Sequence, residues 1–271
     1  MIDASGKDAP VVSVIMNCLN GEQYLREALD SVVAQTYPDW EVIFWDNASR
    51  DASGAIAKGY GERVRYFRGE TTVPLGQARN LAIAEARGRY LAILDCDDVW
   101  LPEKLERQVP LLERDQSVGL VYADCFFINA VGQTLGTFFQ RVPPPAGDPY
   151  RALLTGPNFT PGPTVLMRAD AVRKAGGFHA EFRYVESYDL FVRLARVYRV
   201  AYLDEPLARY RLHGTNQAGM GHAGMTREMM QVIQESAGQM NTLSLSDRWA
   251  IRKRLLAMRC KLMLQIVKGQ T

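Results

Sequence analysis

Long apolar runs are missing from this sequence. Of its 271 residues 47% are hydrophobic, yet no stretch approaches the roughly 18 consecutive apolar residues of a membrane span. The opening stretch MIDASGKDAP lacks the apolar core of a signal peptide. Cysteine is scarce: Cys18, Cys96, Cys125 and Cys260 are spaced for neither a zinc site nor a CxxC redox pair. Cys18, Cys96 and Cys125 sit in or beside apolar strand-like runs. The expectation is buried free thiols, a reducing compartment and a cytoplasmic chain, with the inner membrane face as the peripheral alternative. Lys and Arg total 32 against 30 Asp and Glu, a net charge of +2, and no basic stripe with interleaved aromatics precedes residue 240. That excludes nucleic acid as an expected partner. No repeat of fixed period is present. The length suits one large α/β domain, or a domain with a small appendage.

What is present is an alternation of apolar runs with amphipathic segments. Val11–Met16 reads as a buried strand. Asn20 is placed to cap a helix, with Gln23 as its capping-box partner, and Tyr24, Leu25, Ala28, Leu29, Val32 and Val33 share one face. Pro38 stops that helix before a strand at Glu41–Trp45. Asp46–Asp51 is a polar turn, with Asp51 expected to cap the helix that runs to about Tyr60. Val64–Phe67 is a strand, and Leu75–Ala86 a helix that Gly88 ends. Tyr90–Leu94 is a strand, Pro102 opens a helix to about Arg114, and Val118–Ala123 is a further strand. Strands alternating with helices predict a Rossmann-like, mostly parallel central sheet flanked by helices, with ligands beyond the strands' carboxyl ends. After that the pattern changes. Phe126–Phe139 reads as an irregular hairpin and Asn158–Pro163 as a Pro/Gly-rich loop. Ser187–Arg199 reads as a helix with Leu190, Leu194 and Val197 inward, and Val200–Leu203 as a returning strand. From Met225 the chain reads as helical.

Five constellations carry chemistry. Asp95-Cys96-Asp97-Asp98 follows five apolar residues. Carboxylates at i and i+2 beyond a strand can converge on a hard divalent cation, Mg²⁺ or Mn²⁺; the competing reading is a solvated turn in which Asp98 caps the helix opened by Pro102. Asp46, ending the Trp45 strand, could accept from the N3–H of a uracil or thymine ring, or merely shape a turn. Arg79 in Leu75–Asn80 could meet the aspartates, a diphosphate or a surface carboxylate. Glu186 and Asp189 open a helix and are candidates for the base of a glycosyl transfer, although helix-start acids also answer the macrodipole. His213 could complete a metal's ligand set or be an ordinary surface or core histidine.

Taken in order, the opening strand with Asn20, then DNASRD, GQARN, LDCDD, GGF, ESYDLFVRL and YRLH resemble the family 2 glycosyltransferases over Val12 to Asn216. The resemblance implies a GT-A fold over residues 1–217, with a nucleotide-binding half at about 10–124 and an acceptor-side half at about 125–217. Residues 218–271 are expected to form a C-terminal helical extension. The resemblance implies an inverting enzyme using a nucleoside diphosphate sugar, of UDP or dTDP type. The expected acceptor is a saccharide, lipid-linked or protein hydroxyl, in cell-surface polysaccharide or glycan synthesis. Asn17, Leu19 and Asn20 are then expected to border the base and Asp46 to hold it, with Asn47, Arg79 and Cys96 also on the donor side. Asp95 and Asp97 become the DxD pair, Asp97 on the cation, Asp95 on ribose or cation. His213 becomes a further metal ligand, and Thr160–Thr164 and Glu186 face the acceptor.

The chain departs from the family pattern in two places. Asn17 and Leu19 stand where Pro and Tyr are usual, and Glu186-Ser187 where Glu-Asp is usual, which moves the expected base to Glu186, then Asp189. Two other readings are a sugar-nucleotide-forming nucleotidyltransferase, which the absence of a basic Gly-rich first loop disfavours, and a non-catalytic nucleotide-sugar-binding scaffold. The basic, apolar-striped segment Asp247 to Lys268 suits packing on the main domain or on another subunit, or contact with anionic lipid.

Overall fold

The structure, a computed structural model, describes residues 9–214, 223–238 and 244–267. The leader stretch 1–8, Asn216, Lys268 and the boundary expected near 217 lie outside those residues. Along the chain come β1 (Val12–Cys18), α1 (Glu22–Val33), β2 (Trp40–Asp46), α2 (Ser53–Lys58), β3 (Val64–Arg68), α3 (Leu75–Glu85), β4 (Tyr90–Ile93), β5 (Val99–Trp100) and α4 (Lys104–Arg114). Then follow β6 (Val118–Asn129), β7 (Thr134–Thr137), α5 (Phe138–Arg141), α6 (Pro149–Thr155), a 3₁₀ turn (Gly162–Thr164), β8 (Leu166–Arg168), α7 (Ala169–Lys174), α8 (Glu186–Val197), β9 (Arg199–Leu212), α9 (Ala223–Gly238) and α10 (Leu245–Val267).

The strands form one sheet in the order β3-β2-β1-β4-β8-β6-β9-β5, with β7 on β6. β3, β2, β1 and β4 are mutually parallel, as the alternating pattern predicts. Beyond β4 the sheet is mixed: β8 runs antiparallel to both β4 and β6, and β6 and β9 run parallel. Both faces are covered, so the strands read as continuous apolar runs. Alternate residues divide between two cores. Val14, Met16, Val42, Phe44, Ala92 and Leu94 pack with Leu25, Leu29, Leu105 and Val109 of α1 and α4. Ile15, Ile43, Leu91 and Ile93 pack with Ala82, Phe182, Leu190 and Phe191 on the other face.

Several local expectations change. Asn20 does not cap α1 and no capping box forms. The helix starts at Glu22 after Gly21, and Asn20 takes a left-handed φ of 54° while its Oδ1 accepts from Arg50 N. The free amide of Glu22 is instead met by Asp51 Oδ2, 3.0 Å away and distant in sequence. Asp51 therefore serves α1, and also accepts from Ser53 N at the edge of α2. Val33 and Val197 are 54% and 66% exposed rather than inward. Gly88 does not end α3, which stops at Glu85 as Ala86 turns extended. Its role is close approach: a Cβ there would lie 2.5 Å from Ser13 N.

The C-terminal helices pack only in part. Ile251 is buried, and Leu255 and Met258 lie against the core. Trp249, Leu256, Met263 and Leu264 remain more than 60% exposed. No helix among the described residues is long and apolar enough to cross a membrane.

Candidate active site

The carboxyl ends of β1, β2 and β4 and the end of β9 meet at one edge of the sheet, where a cavity of about 450 Å³ opens. Asn17, Arg79, Asp95, Cys96, Asp97, Glu186 and Ser187 line it, with Thr160 to Pro163 opposite. Parallel strands deliver their C-terminal residues to one side, which is why positions far apart in sequence converge here.

Arg79 is the centre of the arrangement. It is 3% exposed. Its Nη2 donates to Asp95 Oδ1 at 2.8 Å, and its Nη1 donates to Glu186 Oε1 at 2.7 Å and to Ser187 Oγ at 2.8 Å. Burial works against the guanidinium's charge, but Asp95 and Glu186 outweigh it and hold its pKa above the ordinary arginine value. The surface salt bridge considered from sequence is thus a buried one linking the acidic turn to the start of α8.

The three aspartates have separated roles. Asp97 Oδ2 meets His213 Nε2 at 2.8 Å. Burial and the neighbouring Asp95 push the Asp97 pKa up, against the pull of His213. Asp98 does not cap α4. It is fully buried and accepts from Arg211 N at 2.8 Å, with Oδ2 lacking any partner. Burial, then Asp97 and Asp95, raise its pKa well above the carboxylate range. Arg211, 2% exposed, also donates from Nε to Asp97 O and pairs with Glu27, clamping the turn to β9. Sequence reasoning singled out His213 and passed over Arg211 in the same motif; an arginine inside an apolar-flanked strand was the available signal.

Asp97 and His213 offer one oxygen and one nitrogen ligand, a set that suits Mn²⁺ or Mg²⁺ completed by phosphate oxygens. Among the described residues no cluster of three or more metal-ligating side chains forms, because Asp95 is turned to Arg79. The residues present therefore fit a cation shared with a diphosphate rather than one held by protein alone.

The other expected residues lie around this core. Asn17 is 7% exposed and both polar atoms of its amide lack partners while it lines the cavity. Asp46 is fully buried and outside the lining. Its Oδ1 accepts from Ser49 N, and its Oδ2 accepts from the Tyr66 hydroxyl at 2.6 Å and Arg68 Nη1 at 2.8 Å. Burial alone would raise its pKa; those hydrogen bonds prevail and hold it low. Asn47 ties down the following loop through Val73, donating to its carbonyl and accepting from its amide. Leu19 is 46% exposed and, like Asn20, outside the cavity. Asp189 also stands apart, bound by Arg193 through Nε at 3.0 Å and Nη2 at 2.6 Å and by His179 Nδ1 at 3.1 Å.

The Thr160–Thr164 loop is braced from below. Trp100 Nε1 donates to Pro163 O, and Gln108 Nε2 to Thr164 O, both at 2.7 Å. Lys104, fully buried over the Trp100 ring, donates to Gln108 Oε1, and burial pulls its pKa well below the usual lysine range.

The profile of glycosyl transferase family 2 matches residues 13–176. An uncharacterized glycosyltransferase of Rickettsia typhi is 31% identical over 209 residues, which cover 76% of this chain and 65% of that protein. The chain thus spans about two thirds of that relative's length. Staphylococcus aureus TarS 1–349, solved in complex with UDP-GlcNAc, superposes with a TM-score of 0.70 at 19% identity, covering 91% of this chain and 72% of that one. The mannosyltransferase PcManGT of Pyrobaculum calidifontis, solved with GDP-Man and Mn²⁺, gives 0.67 at 18%, covering 96% and 79%. At these identities the structures establish the fold, which is the GT-A arrangement. With the family profile spanning more than half of its length and the DxD edge in place, this chain belongs to glycosyl transferase family 2.

Proposed function

We propose that this protein is an inverting glycosyltransferase that moves a sugar from a UDP- or dTDP-type donor to a hydroxyl of a saccharide, lipid-linked or protein acceptor, in cell-surface polysaccharide or glycan synthesis. The observation that carries this reading is that Asp95, Asp97 and Glu186 line one cavity, with Arg79 joining Asp95 to Glu186. Transfer with inversion needs a leaving diphosphate on one side of the anomeric carbon and a base for the acceptor hydroxyl on the other.

Glu186 is the base in this reading. It faces the cavity, and its Oε1 carries the Arg79 and Ser187 bonds, which leaves Oε2 for the acceptor proton. Asp189 is tied to Arg193 and His179, which supports Glu186 over it. Asp97 and His213 would hold a divalent cation, Mn²⁺ or Mg²⁺, which when bound neutralises the departing diphosphate. Asn17 offers an unsatisfied buried amide to the nucleotide. For Asp46 to reach a base N3–H, the half-exposed Arg68 must swing away, giving up its bonds to Asp46 Oδ2 and Ser49 O.

The test is thermal shift and transfer over a panel of nucleotide sugars. UDP or dTDP should raise the melting temperature only with Mn²⁺ or Mg²⁺. Glu186→Gln should lose transfer and keep that shift. No shift with any nucleotide plus metal would remove the donor site, and full activity in Glu186→Gln would remove Glu186 as base.

A further inference from the structure

Two of the cysteines meet at the carboxyl ends of β1 and β4. These strands pair in parallel, with Val12 opposite Tyr90 and Ile15 opposite Ile93. The hydrogen bond from Leu94 N to Ile15 O continues the ladder by one step, after which the chain turns over Asp95–Asp98, closed by the bond from Asp98 N to Asp95 O, and brings Cys96 beside the end of β1. The side chains converge too. The Cys18 and Cys96 Sγ atoms lie 2.8 and 2.6 Å from the point where a Gly21 Cβ would sit. Glycine at that position leaves the space both sulfurs occupy. Cys18 is 2% exposed, whereas Cys96 is half-buried and lines the cavity.

We propose that Cys18 and Cys96 are a site of reversible covalent modification, a dithiol that a small disulfide oxidant entering through the cavity closes to a disulfide, disabling the Asp95–Asp97 turn. In the first step the Cys96 sulfur attacks one sulfur of the oxidant and expels the other as a thiol. In the second, the Cys18 sulfur attacks the Cys96 sulfur of that mixed disulfide and expels the second thiol. The two protein thiols lose two protons and two electrons, and the oxidant gains them as two thiols. Closure fixes the two sulfurs about 2.05 Å apart. Cys96 lies between the two aspartates, so its backbone shift is passed to Asp97, 2.8 Å from His213, and to Asp95, 2.8 Å from Arg79. Hydrogen bonds and metal ligation tolerate displacements of only about a few tenths of an ångström. The loss of donor binding rests on the function proposed above; the disulfide itself does not.

The experiment exposes the full chain to oxidised glutathione, alkylates the remaining thiols and maps them by peptide mass spectrometry. A Cys18–Cys96 cross-linked peptide, reversed by dithiothreitol, is expected. Cys18→Ser, with Cys18→Ala as the alternative should serine destabilise the strand, removes it. Cys260→Ser leaves it intact, because Cys260 is exposed and serves only as a reactivity control. Bound UDP with Mn²⁺ should slow cross-linking at least several-fold. Oxidised wild type should lose the nucleotide-dependent thermal shift, and dithiothreitol should restore it. Glutathione on Cys260 with no Cys18–Cys96 cross-link overturns the proposal, and so does a cross-linked protein whose nucleotide shift is unchanged. A cross-link in a protein that shows no nucleotide shift even when reduced upholds the dithiol and refutes the donor reading.

Discussion

Replacing Arg79 by methionine isolates the contact on which the site turns. Methionine keeps an unbranched apolar stem but removes the guanidinium, which lies over the Phe178 ring, and with it both charge-assisted bonds. The Glu186 side chain is 8% exposed and would be left as a buried carboxylate with only Ser187 Oγ near it. Breaking a buried pair from one side costs about 3–5 kcal/mol, because the surviving charge stays desolvated. The Asp95 side chain is 41% exposed, so water replaces its lost partner and that half adds at most about 1 kcal/mol. At about 2–4 °C per kcal/mol for a domain of this size, Arg79→Met should lower the melting temperature by about 6–24 °C. Glu186→Gln alone leaves the guanidinium with Asp95 and costs less. The double variant holds no unpaired buried charge and should be more stable than Arg79→Met, with a coupling of about 2–3 kcal/mol in urea unfolding followed by tryptophan fluorescence. Transfer should stay lost in the double variant, which separates folding from chemistry. If the single effects add to within about 0.5 kcal/mol, the pair is not coupled and the buried-bridge reasoning is refuted.

Asp46 carries a pH signature. Its folded pKa is held low by Tyr66, Ser49 and Arg68 against the cost of burial, so its contribution is complete above its ordinary value of about 4 and drains as pH falls through the lower folded value. The stability gap between wild type and Asp46→Asn should therefore narrow between about pH 5 and pH 3; a gap constant over that range contradicts the assignment. Gly88→Ala places a methyl 2.5 Å from the Ser13 backbone nitrogen and should cost about 1–3 kcal/mol by overpacking, whereas a neutral result in chemical denaturation would mean that β1 yields there. On α10, Trp249 and Leu256 are exposed beside Arg252 and Lys253. Anionic vesicles should shift Trp249 emission to the blue and neutral vesicles should not; equal spectra would leave that face to a protein partner.

The strands and helices of the first half were legible because both of their signals are local. Buried parallel strands are apolar throughout, and the intervening helices repeat their apolar residues every three to four positions. The site was legible as a set of residue types in order: DNASRD, GQARN, LDCDD, ESYDLFVRL and YRLH name Asp95, Asp97, Glu186, Arg79 and His213 without coordinates. Their partners were not legible. Asn20 looks like a cap because its neighbours in sequence suit one, but the amide that needs capping is met by Asp51 from another loop. Asp98 looks like a helix cap, and only the arrival of β9 makes it the buried acceptor for Arg211 N. Val33 and Val197 continue apolar stripes that the packed neighbours do not reach.

Composition and pattern by themselves determined that this chain builds a two-faced α/β sheet with a DxD turn beyond one of its strands. The tertiary structure alone decided which carboxylate meets the cavity and which cysteine faces which. A side chain's charge state and partners depend on groups brought in from more than 100 positions away, as Arg79 and Glu186 are, and no local pattern encodes that approach.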